Sequence, residues 1–297
     1  MDEEKKWKGT TYGNGWMHRW LIRLLRYIDV RVLYVFVAVF VVPVCLILNR
    51  SGKIIYRYFR RQFGYSTWKA LRKTYANHYQ FSQVVIDKFA MYAGKKFKID
   101  VEGYSHFQSL AEQEPAFIQL SSHIGNYEIA GYSLVAENKP FNALVFFGEK
   151  ESVMQNRAKM FSTTNIHMIP IKSDMSHLYE IDQILGRGEI LSMPSDRIIG
   201  SKKYIELDFL GGKAKFPLGP FRVATMRGLD VIAVNVMKTA AKSYKIFVTP
   251  LRYDKSATRQ AQVEELSGLY VKELERIIRM YPTQWYNFYD FWTEVDE

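Results

Sequence analysis

Apolar residues in the first third of the chain recur with the spacing of helices. Between residues 16 and 28 they return every three or four positions with arginines between them, which predicts an amphipathic helix suited to a bilayer interface. Residues 32–48 carry no charge, and as a helix they would extend roughly 25 Å, the lower limit for crossing a hydrocarbon core. Residues 53–94 are helical in pattern and rich in aromatic side chains. We therefore predict that residues 1–94 form a helical, membrane-anchoring region.

From residue 95 onward, short apolar runs of strand length alternate with segments of helical period. Strands are predicted at residues 97–101, 116–120, 143–147, 166–169, 190–193, 231–237 and 244–249. Helices are predicted at residues 105–113, from residue 127, at 150–161, after Ser176, at 222–227 and at 263–280, and a Gly- and Pro-rich loop at 209–221. This alternation predicts an α/β domain over residues 95–297, a three-layer sandwich around a central mixed, largely parallel sheet.

Basic residues are concentrated in the same N-terminal part of the chain as the apolar runs. Residues 19–73 contain 12 Lys and Arg against one acid, Asp29, which accounts for the whole net charge of +11. Because this charge is interleaved with apolar residues, it favours an anionic membrane surface over nucleic acid as the partner. Both flanks of residues 32–48 are basic and Pro43 would kink a helix, so a membrane span, an in-plane insertion and a buried core helix all stay open.

Composition and motifs exclude several other classes of protein. The single cysteine, Cys45, lies inside the apolar run, so the sequence has no disulfide framework and no cysteine metal site. The Gly-x-Ser-x-Gly turn of a serine hydrolase does not occur, and Gly211 and Gly212 lack the spacing of a phosphate-binding loop.

The strongest candidate for chemistry is the strand, turn and helix predicted over residues 116–131. His123 follows the strand, Gly125 lets the backbone turn sharply, and Glu128 stands in the first helical turn. In this context we expect the Glu128 carboxylate to reach the imidazole, fix its tautomer and support a general base at His123. The alternative is a surface histidine on a loop beside a glutamate favoured by the helix dipole.

A second histidine with an acid five positions later provides a control for that spacing. His177 and Asp182 lie within one continuous predicted helix, where five residues separate two side chains by about 140°. This pair is not expected to meet, and His177 is expected to be a solvated helix position. The strand predicted at 190–193 brings Asp196 and Arg197 to the sheet edge that His123 should occupy.

Several motifs in order give the chain a resemblance to the lipid A late acyltransferases (lauroyl and myristoyl transferases), within the glycerolipid and lysophospholipid acyltransferase superfamily. The segment HIGNYE at residues 123–128 is similar to the family's motif of a histidine, four residues and an acid after a strand. The resemblance extends over residues 31–292 through RRQFG from Arg60, VEGYSHFQSL from Val101, MPSDRIIG from Met193, FLGG from Phe209, FPLGPFRVA from Phe216 and YPTQWYNFYDFW from Tyr281.

The resemblance implies a membrane-bound O-acyltransferase that moves a fatty acyl group from an acyl carrier protein or CoA thioester to a lipid hydroxyl. It implies no metal and no cofactor besides the thioester donor, a lipid acceptor in the bilayer, no nucleic acid, and a location at the bacterial inner (cytoplasmic) membrane with the catalytic domain facing the cytoplasm. His123 would be the base and Glu128 its orienting acid. Residues of the substrate site would be Gly125, Asn126, Arg157, Asp196, Arg197 and Gly212.

Donors for the tetrahedral oxyanion are expected from backbone N–H groups around Gly125 or in the loop of Gly211 and Gly212. Two departures from the family pattern leave the acceptor open: residues 7–15 are atypical, and Arg197 stands where the family tends to have histidine. The acceptor could therefore be an amino-acid lipid, a polyene lipid or a lysophospholipid, and a non-catalytic lipid-binding homologue is a further alternative.

Overall fold

The computed structural model describes residues 15–136, 138–146, 165–171, 174–198 and 203–292. The chain begins with the amphipathic helix α1 (Gly15–Tyr27), followed by the apolar helix α2, which runs from Val30 to Leu48. In α2 the α-helical segments Val30–Phe36 and Val42–Leu48 flank a π-helical stretch, Val37–Val41. The π-helical stretch ends two positions before Pro43. Proline has no backbone N–H and therefore cannot donate the α-helical hydrogen bond at its position.

Two further helices follow, where the sequence pattern predicted one helical region over residues 53–94. They are α3 (Ser51–Arg61) and α4 (Thr67–Tyr92). Gly64 separates them with a φ of +63°, a backbone conformation that glycine adopts without steric cost.

The seven-stranded sheet has the order β1-β9-β8-β2-β5-β3-β4. Strands β8 and β9 pair antiparallel, and the other neighbours in the sheet pair parallel, so the predicted mixed and largely parallel sheet is confirmed. Its strands are β1 (Lys98–Glu102), β2 (Phe117–Ser121), β3 (Phe141–Phe146), β4 (Ile166–Ile171), β5 (Ile190–Pro194), β8 (Asp230–Ala240) and β9 (Ser243–Pro250).

Alternate residues of the central strands enter two separate hydrophobic cores, as expected for a sheet covered on both faces. Along β8, Val231 and Ala233 join one core, and Ile232 and Val234 join the other. The helices of the α/β region are α5 (Tyr104–Ala111), α6 (Glu128–Ser133), α7 (His177–Gly186), α8 (Gly219–Met226) and α9 (Arg259–Met280). The helix predicted at residues 150–161 lies outside the described residues.

The prediction of a loop at residues 209–221 is wrong. Strands β6 (Tyr204–Phe209) and β7 (Gly212–Pro217) form an antiparallel hairpin there, turning through Leu210 and Gly211, which both have positive φ. The hairpin packs on the C-terminal aromatic segment, where Trp292 donates from Nε1 to the carbonyl of Phe209 at 2.9 Å. Because this partner lies 83 positions away, local glycine and proline content alone suggested a loop.

A buried ion pair ties the N-terminal helices to the sheet. Lys238 of β8 donates to Asp87 of α4 at 2.5 Å, and the hydroxyls of Tyr34 and Tyr244 donate to the same carboxylate. Burial raises the pKa of Asp87 and lowers the pKa of Lys238. The predicted division into residues 1–94 and 95–297 stays a prediction, and this charged contact crosses its boundary.

Helix α2 leaves most of its apolar side chains uncovered. Ile47 is 82% exposed and Phe40 is 61% exposed, and only 17% of the most apolar 18 residues of α2 are buried. Among the described residues, α2 is the one helix long and apolar enough to cross a membrane by length and composition. A buried core helix, one of the three alternatives for this segment, does not match that exposure.

Candidate active site

Strand β2 delivers His123 to the carboxyl edge of the sheet. The end of the strand is held from below by Tyr270 of α9, whose hydroxyl donates to the carbonyl of Ser121 at 3.0 Å and contacts Ser122 Oγ at 2.7 Å. Strand β5 lies beside β2 in parallel register, with Ser121 opposite Pro194. The residues that follow both strands therefore meet at one place, the crevice where α/β sheets place their chemistry.

The turn after His123 is fixed by backbone hydrogen bonds on both sides. Gly125 N–H donates to the carbonyl of Gln284 at 2.8 Å, and Asn126 N–H donates to the carbonyl of Val236 at 2.8 Å. Gly125 has a φ of +52°, and a Cβ there would lie 1.8 Å from the Val236 oxygen. Only glycine fits this turn, for reasons of both backbone conformation and space.

These bonds exclude two of the N–H groups expected to serve the oxyanion, while the loop of Gly211 and Gly212 stays a prediction. The N–H groups of Gly125 and Asn126 already donate to protein carbonyls, so neither is available to a substrate oxygen in this arrangement. The expectation rested on the glycine alone and did not include its close approach to β8.

Asp196 holds both the backbone and the ring of His123. Its Oδ2 accepts from the His123 N–H at 2.9 Å, and its Oδ1 lies 2.7 Å from His123 Nδ1. The Asp196 side chain is fully buried, whereas the His123 side chain is 21% exposed. The carboxylate thereby favours the tautomer with hydrogen on Nδ1, which leaves Nε2 as the basic nitrogen.

Electrostatics keep Asp196 ionised despite its burial. Burial by itself would raise the pKa of Asp196, but the charge and hydrogen bonds of His123 and the charge of Arg197 outweigh it and hold the pKa below its ordinary value. A charged carboxylate behind the imidazole stabilises the imidazolium that forms when His123 accepts a proton.

The expected contact between Glu128 and His123 is wrong for the described residues. The Glu128 carboxylate lies 2.5 Å from Lys88 Nζ and accepts from the Tyr92 hydroxyl at 3.2 Å, both residues of α4. Glu128 is the first residue of α6, and it is Asp196 that contacts Nδ1 of the imidazole. The orienting acid in this geometry is therefore Asp196, and any catalytic role of Glu128 stays a prediction.

The other predicted site residues differ in how near they lie to His123. Arg197 lies next to the dyad and donates from Nη2 to the carbonyl of Tyr286 at 2.6 Å, while the Tyr286 N–H donates to the carbonyl of His123 at 3.3 Å. Asn126 is buried beneath the turn. Gly212 lies in the β6–β7 hairpin, where a Cβ would meet the Trp292 ring at 2.6 Å, so packing explains that glycine. Arg157 lies outside the described residues, and the substrate-binding roles of all four stay predictions.

The control pair behaves as predicted in one respect and not in another. Asp182 pairs with Arg227 on the surface, so His177 and Asp182 do not form a dyad. His177 is nevertheless buried, with 7% of its surface exposed, which contradicts the expected solvated position. Its place at the first position of α7, close to the sheet, was not visible from periodicity.

Three residues that support the site were not singled out from sequence. They are Tyr270, which anchors the end of β2; Gln284, whose carbonyl receives the Gly125 N–H; and Lys88, which binds Glu128. Gln284 lies in the YPTQWYN segment that carried the resemblance, so a signal existed for it. The sequence offered no such signal for Lys88 and Tyr270, which lie on long helices.

Within the described part of the chain, no group of three or more His, Cys, Asp or Glu is arranged to hold a metal ion. The expectation that the reaction needs neither metal nor cofactor stays a prediction. The arrangement at His123 is suited to removing a proton from a hydroxyl group.

No curated protein matches the chain. One similar solved structure is the 1-acyl-sn-glycerophosphate (LPA) acyltransferase, PlsC, from Thermotoga maritima, with 14% identity, a TM-score of 0.38, and coverage of 91% of this chain and 100% of that one. The family model for bacterial lipid A biosynthesis acyltransferases matches residues 76–294, which contain the His123 turn, Asp196 and the C-terminal aromatic segment. The chain therefore belongs to the bacterial lipid A biosynthesis acyltransferase family and is an acyltransferase.

Proposed function

We propose that this chain is a membrane-bound O-acyltransferase that moves a fatty acyl group from an acyl carrier protein or CoA thioester to the hydroxyl of a lipid, in lipid A or related lipid biosynthesis. The observation that carries the proposal is the pair of His123 and the fully buried Asp196, 2.7 Å apart at the carboxyl edge of the sheet. A hydroxyl is a poor nucleophile until a base removes its proton, and this pair is built as such a base.

In the proposed reaction, His123 Nε2 accepts the proton of the lipid hydroxyl as its oxygen attacks the thioester carbonyl. The tetrahedral intermediate collapses with loss of the thiol, which takes its proton from the His123 imidazolium. The products are the ester and the free thiol, and no acyl-enzyme forms. Asp196 keeps Nδ1 protonated throughout and stabilises the imidazolium by its charge.

The membrane part of the proposal rests on helices α1 and α2. Trp16, Trp20 and Leu24 on α1 are exposed, and so are eight large apolar residues of α2. Basic residues between them suit an anionic surface such as the cytoplasmic leaflet. We propose that these helices hold the chain at the bacterial inner membrane with the His123 crevice facing the cytoplasm, so that a soluble thioester and a membrane lipid meet there.

The function is tested by incubating membranes that contain the full-length chain with radiolabelled acyl carrier protein thioester or acyl-CoA, together with membrane lipids. The expected result is transfer of label to one lipid class, identified by mass spectrometry, and loss of transfer with His123→Ala in a variant that still unfolds cooperatively, although at a lower melting temperature because Asp196 loses its buried partner. The matched control is Asp182→Ala, at the surface pair with Arg227, which should transfer at the wild-type rate.

Full transfer by His123→Ala would exclude the base mechanism. Specific lipid binding by the wild type without any transfer from either donor would support the alternative of a non-catalytic homologue. Label in an amino-acid lipid, a polyene lipid or a lysophospholipid would decide against lipid A as the acceptor while keeping the reaction type.

A further inference from the structure

A cavity of about 360 Å³ lies away from His123, between α2, α4 and the end of β8. Residues from all three elements line it, among them Arg31 and Val35 of α2, Gln80 and Gln83 of α4, and Thr239 of β8. Its volume is in the range of small-ligand sites, which is about 300–1,000 Å³.

Two amide side chains of α4 stand in the wall of the cavity, and one of them has a buried atom without a hydrogen-bond partner. Gln80 Oε1 is buried and accepts no hydrogen bond, and the Gln83 side chain beside it is 9% exposed. Both residues face the cavity. Since buried polar groups in folded proteins are nearly always satisfied, the Gln80 oxygen points to a ligand that donates a hydrogen bond, and the Gln83 amide can donate or accept another.

Two cationic side chains, those of Lys238 and Arg31, line the cavity. Lys238 is neutralised by Asp87, and its ammonium group is already bonded to Asp87, Tyr34 and the carbonyl of Ala241. Arg31 stands at the wall with an exposed guanidinium that forms no ion pair with a described residue. An anionic group, and a phosphate in particular, suits a guanidinium fork.

The two requirements together restrict the chemistry of the ligand. An ionised phosphate has no hydrogen to give to Gln80 Oε1, so the ligand must also carry a hydroxyl or N–H group. The cavity opens beside α2, where Val32, Val35 and Phe36 are all more than half exposed. A headgroup in the cavity would therefore have its acyl chains beside an uncovered apolar helix.

We propose that this cavity binds the headgroup of a membrane phospholipid that combines a phosphate with hydroxyl groups, as phosphatidylglycerol does. Arg31 contacts the phosphate, and Gln80 and Gln83 contact the hydroxyls. The proposal rests on the membrane association proposed above but not on the transfer reaction. Lys238 N–H donates to the Gln284 side chain, and the Gln284 carbonyl receives the Gly125 N–H, so the occupied cavity is connected to the His123 turn.

The test uses the full-length chain in detergent micelles and measures binding of dihexanoyl phosphatidylglycerol by calorimetry. The expected result is saturable binding by the wild type and an affinity at least tenfold lower with Arg31→Gln. Gln83→Glu, which keeps the shape of the side chain and adds a charge of the same sign as the phosphate, should weaken binding at least as much. Arg26→Gln removes an equal charge from the exposed face of α1 and should bind like the wild type.

Two further probes distinguish the source of the phosphate. Dihexanoyl phosphatidylcholine, which has no hydroxyl on its headgroup, should bind at least tenfold more weakly than the glycerol lipid. Glycerol phosphate, which has no acyl chains, should also bind more weakly. Equal affinity for glycerol phosphate would assign the cavity to a soluble phosphate ester, and equal affinity for phosphatidylcholine would exclude the role of the two glutamines.

Equal loss of affinity in Arg26→Gln and Arg31→Gln would show diffuse attraction by the basic helices and would overturn the site. His123→Ala should bind phosphatidylglycerol like the wild type while losing transfer. That combination separates a failure of this proposal from a failure of the proposed function, because binding and transfer are measured on the same variant.

Discussion

At the scale of single residues, two carboxylates, Asp196 and Glu128, are candidates for orienting the His123 imidazole. Asp196 is fully buried and holds both the Nδ1 atom and the backbone N–H of His123, while Glu128 is bound to Lys88 and Tyr92 of α4. A base needs its orienting acid in direct contact with the nitrogen that does not react. By this criterion the geometry selects Asp196.

Asp196→Asn should lower kcat on the order of 100-fold or more, because the amide cannot stabilise the imidazolium or enforce the tautomer. The measurement is the rate of acyl transfer at saturating donor, with the melting temperature taken on the same sample. Asp182→Asn is the control for loss of an aspartate. If Glu128 were the orienting acid instead, Asp196→Asn would retain most of its turnover.

Acid should weaken the fold partly through Asp196. Its folded pKa lies below its unfolded value of about 3.9, so its contribution to stability is present above that pH and is lost as the pH falls through the folded pKa. The melting temperature of the wild type should therefore fall further between pH 6 and pH 3 than the melting temperature of Asp196→Asn. Parallel curves for the two proteins would show that the carboxylate adds nothing to stability through its charge.

At the scale of elements, the His123 turn depends on a close approach between β2 and β8. Gly125 makes this possible, since a Cβ would collide with the Val236 carbonyl and the φ of +52° is unfavourable for other residues. The turn and the strand therefore form one rigid unit that sets the position of the imidazole.

Gly125→Ala should displace this turn, lower the melting temperature and reduce transfer by more than tenfold. Gly228→Ala provides the matched control, because Gly228 also has a positive φ, +59°, but a Cβ there meets nothing within 4 Å. The control should lose some stability, about 1 kcal/mol or more from the backbone conformation alone, and keep its activity. Equal loss of activity in both variants would mean that general destabilisation, rather than displacement of the turn, is responsible.

Much of this organisation is predictable from sequence because it is local. Strands such as β2 and β8 are continuous apolar runs, and the segment after β2 carries a histidine and a glycine where a strand must turn into a helix. The convergence of His123 and Asp196 also followed from two parallel strands ending at one edge. What sequence could not give was which acid occupies the contact, since that depends on the register of β2 against β5.

The errors share a physical cause, which is contact between distant parts of the chain. The β6–β7 hairpin is stabilised by Trp292 and by Glu275 of α9, whose carboxylate accepts from the Leu210 N–H at 2.9 Å. Glu128 is drawn to α4 by Lys88, 40 positions before it. Local patterns report propensity and periodicity, and tertiary contacts of this kind override them.

At the scale of the whole molecule, the N-terminal helices are attached to the sheet by polar contacts as well as by packing. Asn77 of α4 donates to the carbonyls of Thr283 and Trp285, and Asp87 binds Lys238 and two tyrosine hydroxyls. The segment 283–285 lies directly against the His123 turn, through the bridge of Ile124 with Trp285. The helical region thus supports the candidate active site as well as the proposed membrane contact.

Asp87→Asn should destabilise the fold by about 3–5 kcal/mol, because it leaves Lys238 buried without a counter-charge. The double variant Asp87→Asn, Lys238→Met removes both charges and should recover part of that loss. The measurement is the melting temperature of the detergent-solubilised protein. A double variant less stable than Asp87→Asn would show that Lys238 contributes more through its bonds to Tyr34 and Ala241 than it loses as an unpaired charge.

Charge and apolar surface should both contribute to holding the chain at a membrane. Basic residues near an anionic surface contribute about 1 kcal/mol each, and at 1 M salt this attraction is screened within about 3 Å. Burial of apolar surface is not screened, and α2 offers exposed apolar residues along its length. Cell membranes washed in 1 M sodium chloride should therefore retain most of the full-length chain.

A paired variant assigns that retention to α2. Val39→Asp with Phe40→Asp introduces two charges on side chains that are 58% and 61% exposed, and it should release much of the protein in the same wash. Leu178→Asp with Tyr179→Asp adds the same charges to exposed positions of α7 and should stay with the membranes. If wild type is found mainly in the soluble fraction before any wash, α2 is covered by something other than lipid, and the proposed entry of the acceptor from the bilayer is wrong.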